Sequence, residues 1–406
     1  MTEVSVDSAA ETGGCPIAYP SLESVACPYP IFAEQLEQGL QEPEGDGPYL
    51  VSRHETITHV LKHPEIFSST TDLNAEAQPG WEASVFSSDP PDHTVKREIA
   101  HRTLKPGRLK AYGPMIEEII EGLIDDFIDD GEVEFVGQFA NLMSSEVMFR
   151  LLDISREEAG WVAGVTFEGI GARFLPHSMQ LQQEADGARL NEFMLDVVRR
   201  RMENLGDDTI SELIRGHRER TGEDDIDYLA VEASVFLLGG VLTTAHLTGT
   251  AMRLLLAHPD QMAAVRADYS LIPNMLEEAM RFESPLQFMP RVTLEDTELE
   301  GVSIPAKSEL ILVYAAANRD EKQFPQADRF DIRRDGVRRH FGFGLGTHFC
   351  LGAPLARLEG KVAYESLFNR IDNIRLADPE DDGGYINSAF NRGPATLRLK
   401  FDRVVG

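Results

Sequence analysis

One cysteine of this chain stands in a stretch, residues 341–361, that could present a reactive or metal-binding thiolate. The stretch is FGFGLGTHFCLGAPLARLEGK, and Cys350 lies between a glycine-rich approach and a segment whose apolar residues recur at helical spacing. Glycine lets a backbone adopt positive φ angles and pass close to a bulky flat group. Pro354 fits a first helical turn, where its missing N–H is not needed. Cys350 is therefore predicted at a helix N-terminus, where free N–H groups and the helix dipole favour a thiolate.

The residue types around Cys350 leave several kinds of site open. A phosphate-binding loop is excluded, because this stretch contains neither G-x-x-x-x-G-K-[ST] nor G-x-G-x-x-G. A structural zinc site needs four ligands at short spacing, but only His348 is near, and Cys15 and Cys27 are far away in sequence. A cysteine protease would need a base placed by the fold, which the sequence leaves open. A buried structural cysteine is the common alternative for a lone cysteine.

The full string Phe343-Gly344-x-Gly346-x-His348-x-Cys350-x-Gly352 resembles the haem-binding loop of the cytochromes P450, the haem-thiolate monooxygenases. Six specified residues at fixed spacing make this a specific pattern. The resemblance implies a mainly α fold with small β-sheets (α+β) around one buried haem b, iron protoporphyrin IX. It also implies that Cys350 is the axial thiolate ligand of the iron, which favours O–O cleavage.

Further motifs follow in the family's order and imply the haem contacts. His93 and Arg97 fall four residues apart on one face of a predicted helix, where they would otherwise be an ordinary surface pair. The resemblance implies that Phe343 packs against the sulfur side of the Cys350 ligand and limits the access of solvent to it. Gly352, which follows the ligand, is also an implied haem-binding residue. The resemblance also implies that four residues neutralise the two negatively charged haem propionates through charge-assisted hydrogen bonds. They are His93, Arg97, Arg291 and His348.

The longest apolar segment, residues 229–258, is predicted as one buried helix of about 45 Å. Each interior glycine costs roughly 1 kcal/mol against alanine, so a glycine pair ending at Gly240 indicates close packing or a flat ligand. The string GGVLTT over residues 239–244 resembles the family's oxygen-binding kink, where a threonine hydroxyl bonds the carbonyl one turn back and opens the helix. The resemblance implies that Thr243, with Thr244 beside it, hydrogen-bonds dioxygen and helps deliver protons.

One position departs from the family pattern. Leu242 stands where an acid usually relays protons, and leucine can neither donate nor accept one. Glu232 lies nearly three turns earlier, so a direct role for that acid is not expected. Three functions remain: a monooxygenase that hydroxylates or epoxidises its substrate with O2, an enzyme of the same fold that uses peroxide or rearranges its substrate, and a non-catalytic haem sensor or carrier. The retained Thr243 favours the first.

Apolar and aromatic residues from several segments are predicted to line the substrate pocket, although core packing would explain some of them equally well. Only Gln287 offers a polar anchor, so we expect a small or medium hydrophobic substrate without a sharper identity. The pocket candidates are Trp81, Val85, Phe86, Phe174, Leu242, Leu286, Gln287, Phe288, Met289 and Phe390.

Glu278 and Arg281 lie three residues apart on another predicted helix. Such pairs are abundant, so this one carries little weight alone. The resemblance implies that the pair is buried and structural, and that an arginine farther along the chain, predicted to be Arg329, completes its hydrogen-bonded network.

The composition bounds the class of protein. The chain has 406 residues, 42% of them hydrophobic and 26% charged, which is ordinary globular composition, and its net charge of −30 argues against nucleic acid as a partner. Residues 1–26 lack the features of a signal peptide and are predicted to be a partly disordered lead-in to a single domain over residues 27–406. Three cysteines, with no run of 18 apolar residues, predict a soluble cytoplasmic protein without a membrane span.

Basic residues are concentrated near the predicted haem site. Residues 329–361 carry seven Lys and Arg against three acids, and residues 92–110 carry six against two, although solvated faces are the default explanation for such runs. No flavin or iron–sulfur region is recognised, so the resemblance implies a separate ferredoxin and its NAD(P)H-dependent reductase. The predicted docking residues are Lys96, Arg102, Lys105, Arg338, Arg339 and Arg357.

Overall fold

The structure is a computed structural model that describes residues 27–404, apart from residues 44, 46, 72–80 and 165–176. The predicted lead-in and Phe174 lie outside the described residues. Helices dominate and the strands form small sheets, which confirms the predicted mainly α class. The helices are, in chain order, α1 (Tyr29–Gln38), α2 (His54–Lys62), α3 (Asp92–His101), α4 (Pro106–Asp125), α5 (Asn141–Leu152), α6 (Arg156–Ala159), α7 (His177–Glu203), α8 (Thr209–Thr221), α9 (Ile226–Ala257), α10 (Pro259–Ala267), α11 (Ile272–Phe282), α12 (Tyr314–Ala317) and α13 (Ala353–Arg370).

The strands lie beside this helical body. They are β1 (Tyr49–Val51), β2 (Phe67–Ser68), β3 (Glu132–Glu134), β4 (Met289–Thr293), β5 (Thr297–Leu299), β6 (Val302–Ile304), β7 (Glu309–Leu312), β8 (Ile371–Leu376) and β9 (Arg398–Arg403). Their sheets have the orders β1-β7-β4-β2, β3-β9-β8 and β5-β6. A turn at Glu300-Gly301 joins β5 to β6, with φ angles of 51° and 82°.

Helix α9 is the central element of the core. It begins at Ile226, where the Asp225 side chain accepts a hydrogen bond from the Tyr228 N–H and caps the first turn. Its residues are buried on nearly every face, as the apolar pattern predicts. By length and composition α9 could cross a membrane, but 61% of its most apolar window is buried inside the protein, as in a core helix.

A buried ionic network ties α11 to the irregular segment that leads to the cysteine loop. Arg281 donates to both carboxylate oxygens of Glu278, at 2.7 and 2.8 Å, and to the carbonyl of Asn318 at 2.8 Å. The prediction of Arg329 as the third member is wrong, because Arg334 occupies that place, with its Nε 3.1 Å from each Glu278 oxygen. Arg329 contributes only its backbone carbonyl, which Arg281 and Arg334 both contact, while its side chain is exposed.

Candidate functional site

The loop before α13 is a tight turn that presents Cys350 at the start of the helix. The Cys350 N–H donates to the Phe343 carbonyl at 2.8 Å and closes the loop. Gly344 and Gly346 have φ angles of 67° and 70°, and a Cβ atom on Gly346 would lie 2.3 Å from the Leu61 carbonyl oxygen. Only glycine fits that position. The structure thus confirms that Cys350 lies just before a helix N-terminus.

The Cys350 thiol is crowded by protein, yet it keeps exposed surface and is therefore reachable. Burial raises the pKa of the thiol, while the Gly352 N–H, the Arg97 guanidinium and the Ala353 N–H lower it. The predicted stabilisation of a thiolate by the helix N-terminus is thus present, but the cost of burying a charge outweighs it. A Cβ atom on Gly352 would lie 3.8 Å from the sulfur, an ordinary contact, so the chain's own atoms do not require glycine there.

Four predicted propionate ligands converge on one side of this loop. The rings of His93 and His348 lie 4.2 Å apart between centroids. Arg97 donates to the carbonyl of Phe349, the residue before the cysteine, at 2.5 Å. Arg291 is buried and close enough to depress the pKa of His348. The fold therefore brings together residues from α3, β4 and the cysteine loop.

These four side chains have few partners of their own. Both ring nitrogens of His93 and Nε2 of His348 are buried without a hydrogen bond. Within the part of the chain that the structure describes, no carboxylate forms an ion pair with Arg97 or Arg291. Burial and the neighbouring cations lower the pKa of His93 to about 4 and that of His348 to about 2. Such a cluster is complementary to an anionic group.

The middle of α9 is the place where this buried helix gains exposed surface. Gly239 is exposed, and a Cβ atom there would meet nothing within 4 Å. A Cβ atom on Gly240 would instead lie 2.4 Å from the Met148 sulfur, so close packing accounts for that glycine. Leu242 and Thr243 are half-buried and Thr244 is buried.

The hydrogen bond expected from the resemblance of this α9 segment to the family's kink is present. The Thr243 hydroxyl does donate to the Gly239 carbonyl, at 2.7 Å, as expected. The helix nevertheless stays α-helical from Ile226 to Ala257.

Five of the pocket candidates pack together. Phe86, Leu286, Phe288, Met289 and Phe390 share one apolar cluster. Phe288 has no exposed surface and packs edge-on against Phe390 with ring centroids 5.3 Å apart, so it is a core residue, while Leu286 and Met289 keep some exposure.

Two further candidates, Trp81 and Val85, lie with Phe86 in the segment before α3. Trp81 and Val85 are buried, and the Trp81 ring meets the Phe86 ring at 5.5 Å. Gln287 is buried, with its Nε2 donating to the Ser284 carbonyl at 2.6 Å and its Oε1 without a hydrogen bond. The structure thus leaves Gln287 one free acceptor for a polar group.

A buried acid that the sequence does not single out binds one residue before Cys350 and one after it. Glu277 accepts from His340 at 3.0 Å and from Arg357 at 2.5 Å. Burial alone would raise the pKa of Glu277, but these two partners lower it to about 2. Arg357 also lies over the Phe343 ring, 4.6 Å from its centroid. No local signal distinguishes Glu277, because its partners are 63 and 80 residues away.

Comparison with known proteins supports the interpretation of this loop. The cytochrome P450 family model matches residues 167–377. The chain is 38% identical to 6-deoxyerythronolide B hydroxylase from Saccharopolyspora erythraea over 317 residues, 78% of this chain and 77% of that protein. It is 32% identical to cytochrome P450 monooxygenase PikC from Streptomyces venezuelae, over 93% of this chain and 92% of that protein.

A solved structure gives the same result for the fold. A cytochrome P450 from Chondromyces apiculatus superposes with a TM-score of 0.83 at 30% identity, covering 96% of this chain and 98% of that one. The superposition covers almost the whole chain, far beyond the cysteine loop. The chain therefore belongs to the cytochrome P450 family of monooxygenases.

Proposed function

We propose that this protein inserts one oxygen atom from O2 into a small or medium hydrophobic substrate, by hydroxylation or epoxidation, with haem b held by Cys350. The observation that carries the proposal is the convergence of His93, His348, Arg97 and Arg291 beside the cysteine loop. Cytoplasmic localisation and a single domain over residues 27–406 are part of the same proposal.

The residues present fit a haem. Its two propionates would supply the acceptors that His93 and the Nε2 of His348 lack within the described residues. They would also supply a counter-charge for buried Arg291, which donates to the Pro290 carbonyl at 2.6 Å but has no carboxylate partner among those residues. Phe343 is buried in the loop behind Cys350, and the exposed Gly239 leaves one position of α9 without a side chain, open to a flat ligand. When bound, the haem would supply the oxygen chemistry, and the Cys350 thiolate would hold its iron. The carboxylates would also restore the basicity of the two histidines, because an opposite charge favours the protonated form.

Thr243 is proposed to bind a proton donor on the side of the haem where O2 would bind. This donor would take over the role of the acid that the family usually has at the position of Leu242. Its hydroxyl sits where α9 has exposed surface, and it can accept and donate at once. We expect Thr243→Ala to lower the yield of product per NADH by about tenfold and to divert electrons to peroxide, since proton transfer by a placed group contributes about 100-fold or more. Product and peroxide are measured against NADH consumed.

Thr243→Ser is the matched control, because it keeps the hydroxyl while losing only the methyl group. It should retain most of the coupling. Equal coupling in Thr243→Ala and Thr243→Ser would show that the proton route avoids this side chain.

The substrate class is proposed from the apolar lining of the pocket and from the relatives. Two relatives bear the names 6-deoxyerythronolide B hydroxylase and vitamin D(3) 25-hydroxylase, the second 33% identical over 90% of this chain. Gln287, with its free Oε1, would bind one hydroxyl or N–H of the substrate. A screen for spin-state changes of the haem on addition of hydrophobic compounds tests the class directly.

A peroxide-using or rearranging enzyme is the second candidate, and Leu242 favours it because the proton relay lacks its usual acid. Turnover with ferredoxin, reductase and NADH, compared with turnover on peroxide alone, separates the two. A haem sensor or carrier would turn over with neither.

A separate ferredoxin is proposed as the electron donor, docking on basic residues near the cysteine loop. Two predicted docking residues are already engaged within the protein, since Arg102 pairs with Glu219 at 2.5 Å and Arg357 with Glu277. Lys96 donates to Ser88 at 2.7 Å and is only half-exposed. The exposed candidates that remain are Lys105, Arg338 and Arg339. Arg338 lies 3.9 Å from Glu277, yet 70% of its side chain stays exposed.

Reversing the charge at Arg338 and Arg339 together should slow ferredoxin reduction of the haem by about tenfold at low salt and flatten its salt dependence, since such charges act mainly on association. Lys400→Glu is the matched control, because Lys400 is exposed on β9, in a sheet that carries none of the site residues. Rates that match the control at every salt concentration would rule out docking at this face.

A further inference from the structure

Glu232 is a fully buried acid on α9 that the proposed oxygen chemistry does not use. Its side chain has no exposed surface. Oε1 accepts a hydrogen bond from the Val85 backbone N–H at 2.6 Å, while Oε2 has no hydrogen-bond partner within the described residues. The carboxyl group thus connects the core helix to a segment 147 residues earlier in the chain.

That segment, residues 81–88, is a compact turn held by its own hydrogen bonds. The Ser84 hydroxyl donates to the Trp81 carbonyl at 2.7 Å, and the Ser88 hydroxyl donates to the Ser84 carbonyl at 2.5 Å. Lys96 on α3 donates to the Ser88 hydroxyl at 2.7 Å. The segment is therefore held together by its own hydrogen bonds, and the Val85–Glu232 bond attaches it to α9.

Among the described residues, the charged and titratable groups around Glu232 do not supply a counter-ion in contact with it. Lys96 acts on it only at longer range, and Tyr228, one turn earlier on α9, lies beside it. The His217 ring of α8 packs on the Tyr228 ring at 5.0 Å, and burial lowers the pKa of His217. Burial raises the pKa of Tyr228, and the charge of nearby Asp225 adds to that effect.

We propose that Glu232 is a positioning residue, whose neutral carboxyl group holds residues 81–88 against α9 as one wall of the substrate pocket and whose ionisation releases that wall. The inference rests on the proposed function in one respect only. The segment is called a pocket wall because Trp81, Val85 and Phe86 are candidates for lining the substrate pocket. The attachment itself stands on the Val85 hydrogen bond and on the burial of Glu232.

The direction of the effect follows from where the proton binds more tightly. Burial raises the pKa of Glu232 from 4.5 to about 7 in the closed arrangement, against the effects of Val85, Lys96 and Tyr228. When the segment opens and water reaches the carboxyl group, the pKa returns towards 4.5. The closed form therefore holds the proton more tightly, so its advantage is complete below about pH 4.5, falls as the pH rises, and is lost above about pH 7.

Hydrogen–deuterium exchange of the haem-loaded protein tests the attachment without any substrate. The ratio of opening rates in wild type and Glu232→Gln cancels the intrinsic pH dependence of exchange. Glutamine can accept the Val85 N–H but cannot ionise, so the wild-type segment should open more than about tenfold more readily, relative to Glu232→Gln, at pH 8 than at pH 5. Asp227→Asn, an exposed acid on the same helix, is the matched control and should match wild type.

A second measurement separates the attachment from the pocket. Glu232→Leu should expose the Val85 amide to exchange at all pH values, and the affinity for a spin-shifting ligand should fall in the same variant. Equal pH dependence of exchange in wild type and Glu232→Gln would overturn the inference. Altered exchange with unchanged ligand affinity would overturn the assignment of residues 81–88 to the pocket wall, while the proposed monooxygenase activity, tested by turnover, would stand.

Discussion

Replacement of Cys350 by histidine should abolish the strongly red-shifted Soret band of the reduced carbon monoxide complex. That band reports an anionic sulfur ligand, and only Cys350 is presented by the loop before α13 next to the cluster of His93, His348 and Arg97. The expected loss is complete, because histidine cannot supply the same electron density to the iron. The spectrum is measured after reduction of the haem-loaded variant under carbon monoxide.

The other cysteines are the controls for this experiment. Cys27→Ala should leave the band unchanged, because Cys27 lies on the exposed start of the described chain, and so should Cys15→Ala. A shifted band that persists in the Cys350 variant would end the haem-thiolate assignment. Haem content, measured in each variant, separates a changed ligand from a lost cofactor.

Removal of the Glu278 carboxylate should destabilise the protein by about 3 to 5 kcal/mol. Glu278 has no exposed surface, and its loss leaves two guanidinium groups, of Arg281 and Arg334, without their counter-charge. The Asp331 N–H, 3.0 Å from Glu278 Oε1, would lose its acceptor as well. The free energy of unfolding of Glu278→Ala in urea measures the effect.

Arg329→Ala is the control that distinguishes this network from the one predicted by sequence. Because the Arg329 side chain is exposed and only its carbonyl takes part, the change should stay within about 0.5 kcal/mol. Arg334→Ala should cost several times more, since it removes the ion pair to Glu278 and the hydrogen bonds to the Pro325 and Gln326 carbonyls. Equal losses in Arg329→Ala and Arg334→Ala would refute the observed network.

The local motifs could be predicted because each depends on neighbours in the chain. The glycine turn, the cysteine before a helix and the Glu278–Arg281 pair span a few residues, so backbone preference and helical spacing suffice. The continuous apolar pattern likewise predicts α9 to within a few residues of its ends. The order of these motifs was enough to identify the family.

The tertiary structure decided the partners that meet across long stretches of chain. The sequence offers Arg329 and Arg334 as equivalent cations, and only packing places the second on Glu278. It cannot show that Arg357 is paired with Glu277, or that burial outweighs the helix terminus at Cys350. Helical spacing shows only that Glu232 is nearly three turns from Leu242. The fold adds that Val85, 147 residues earlier in the chain, donates a hydrogen bond to it. Burial and long-range contacts set these interactions, and neither follows from local spacing.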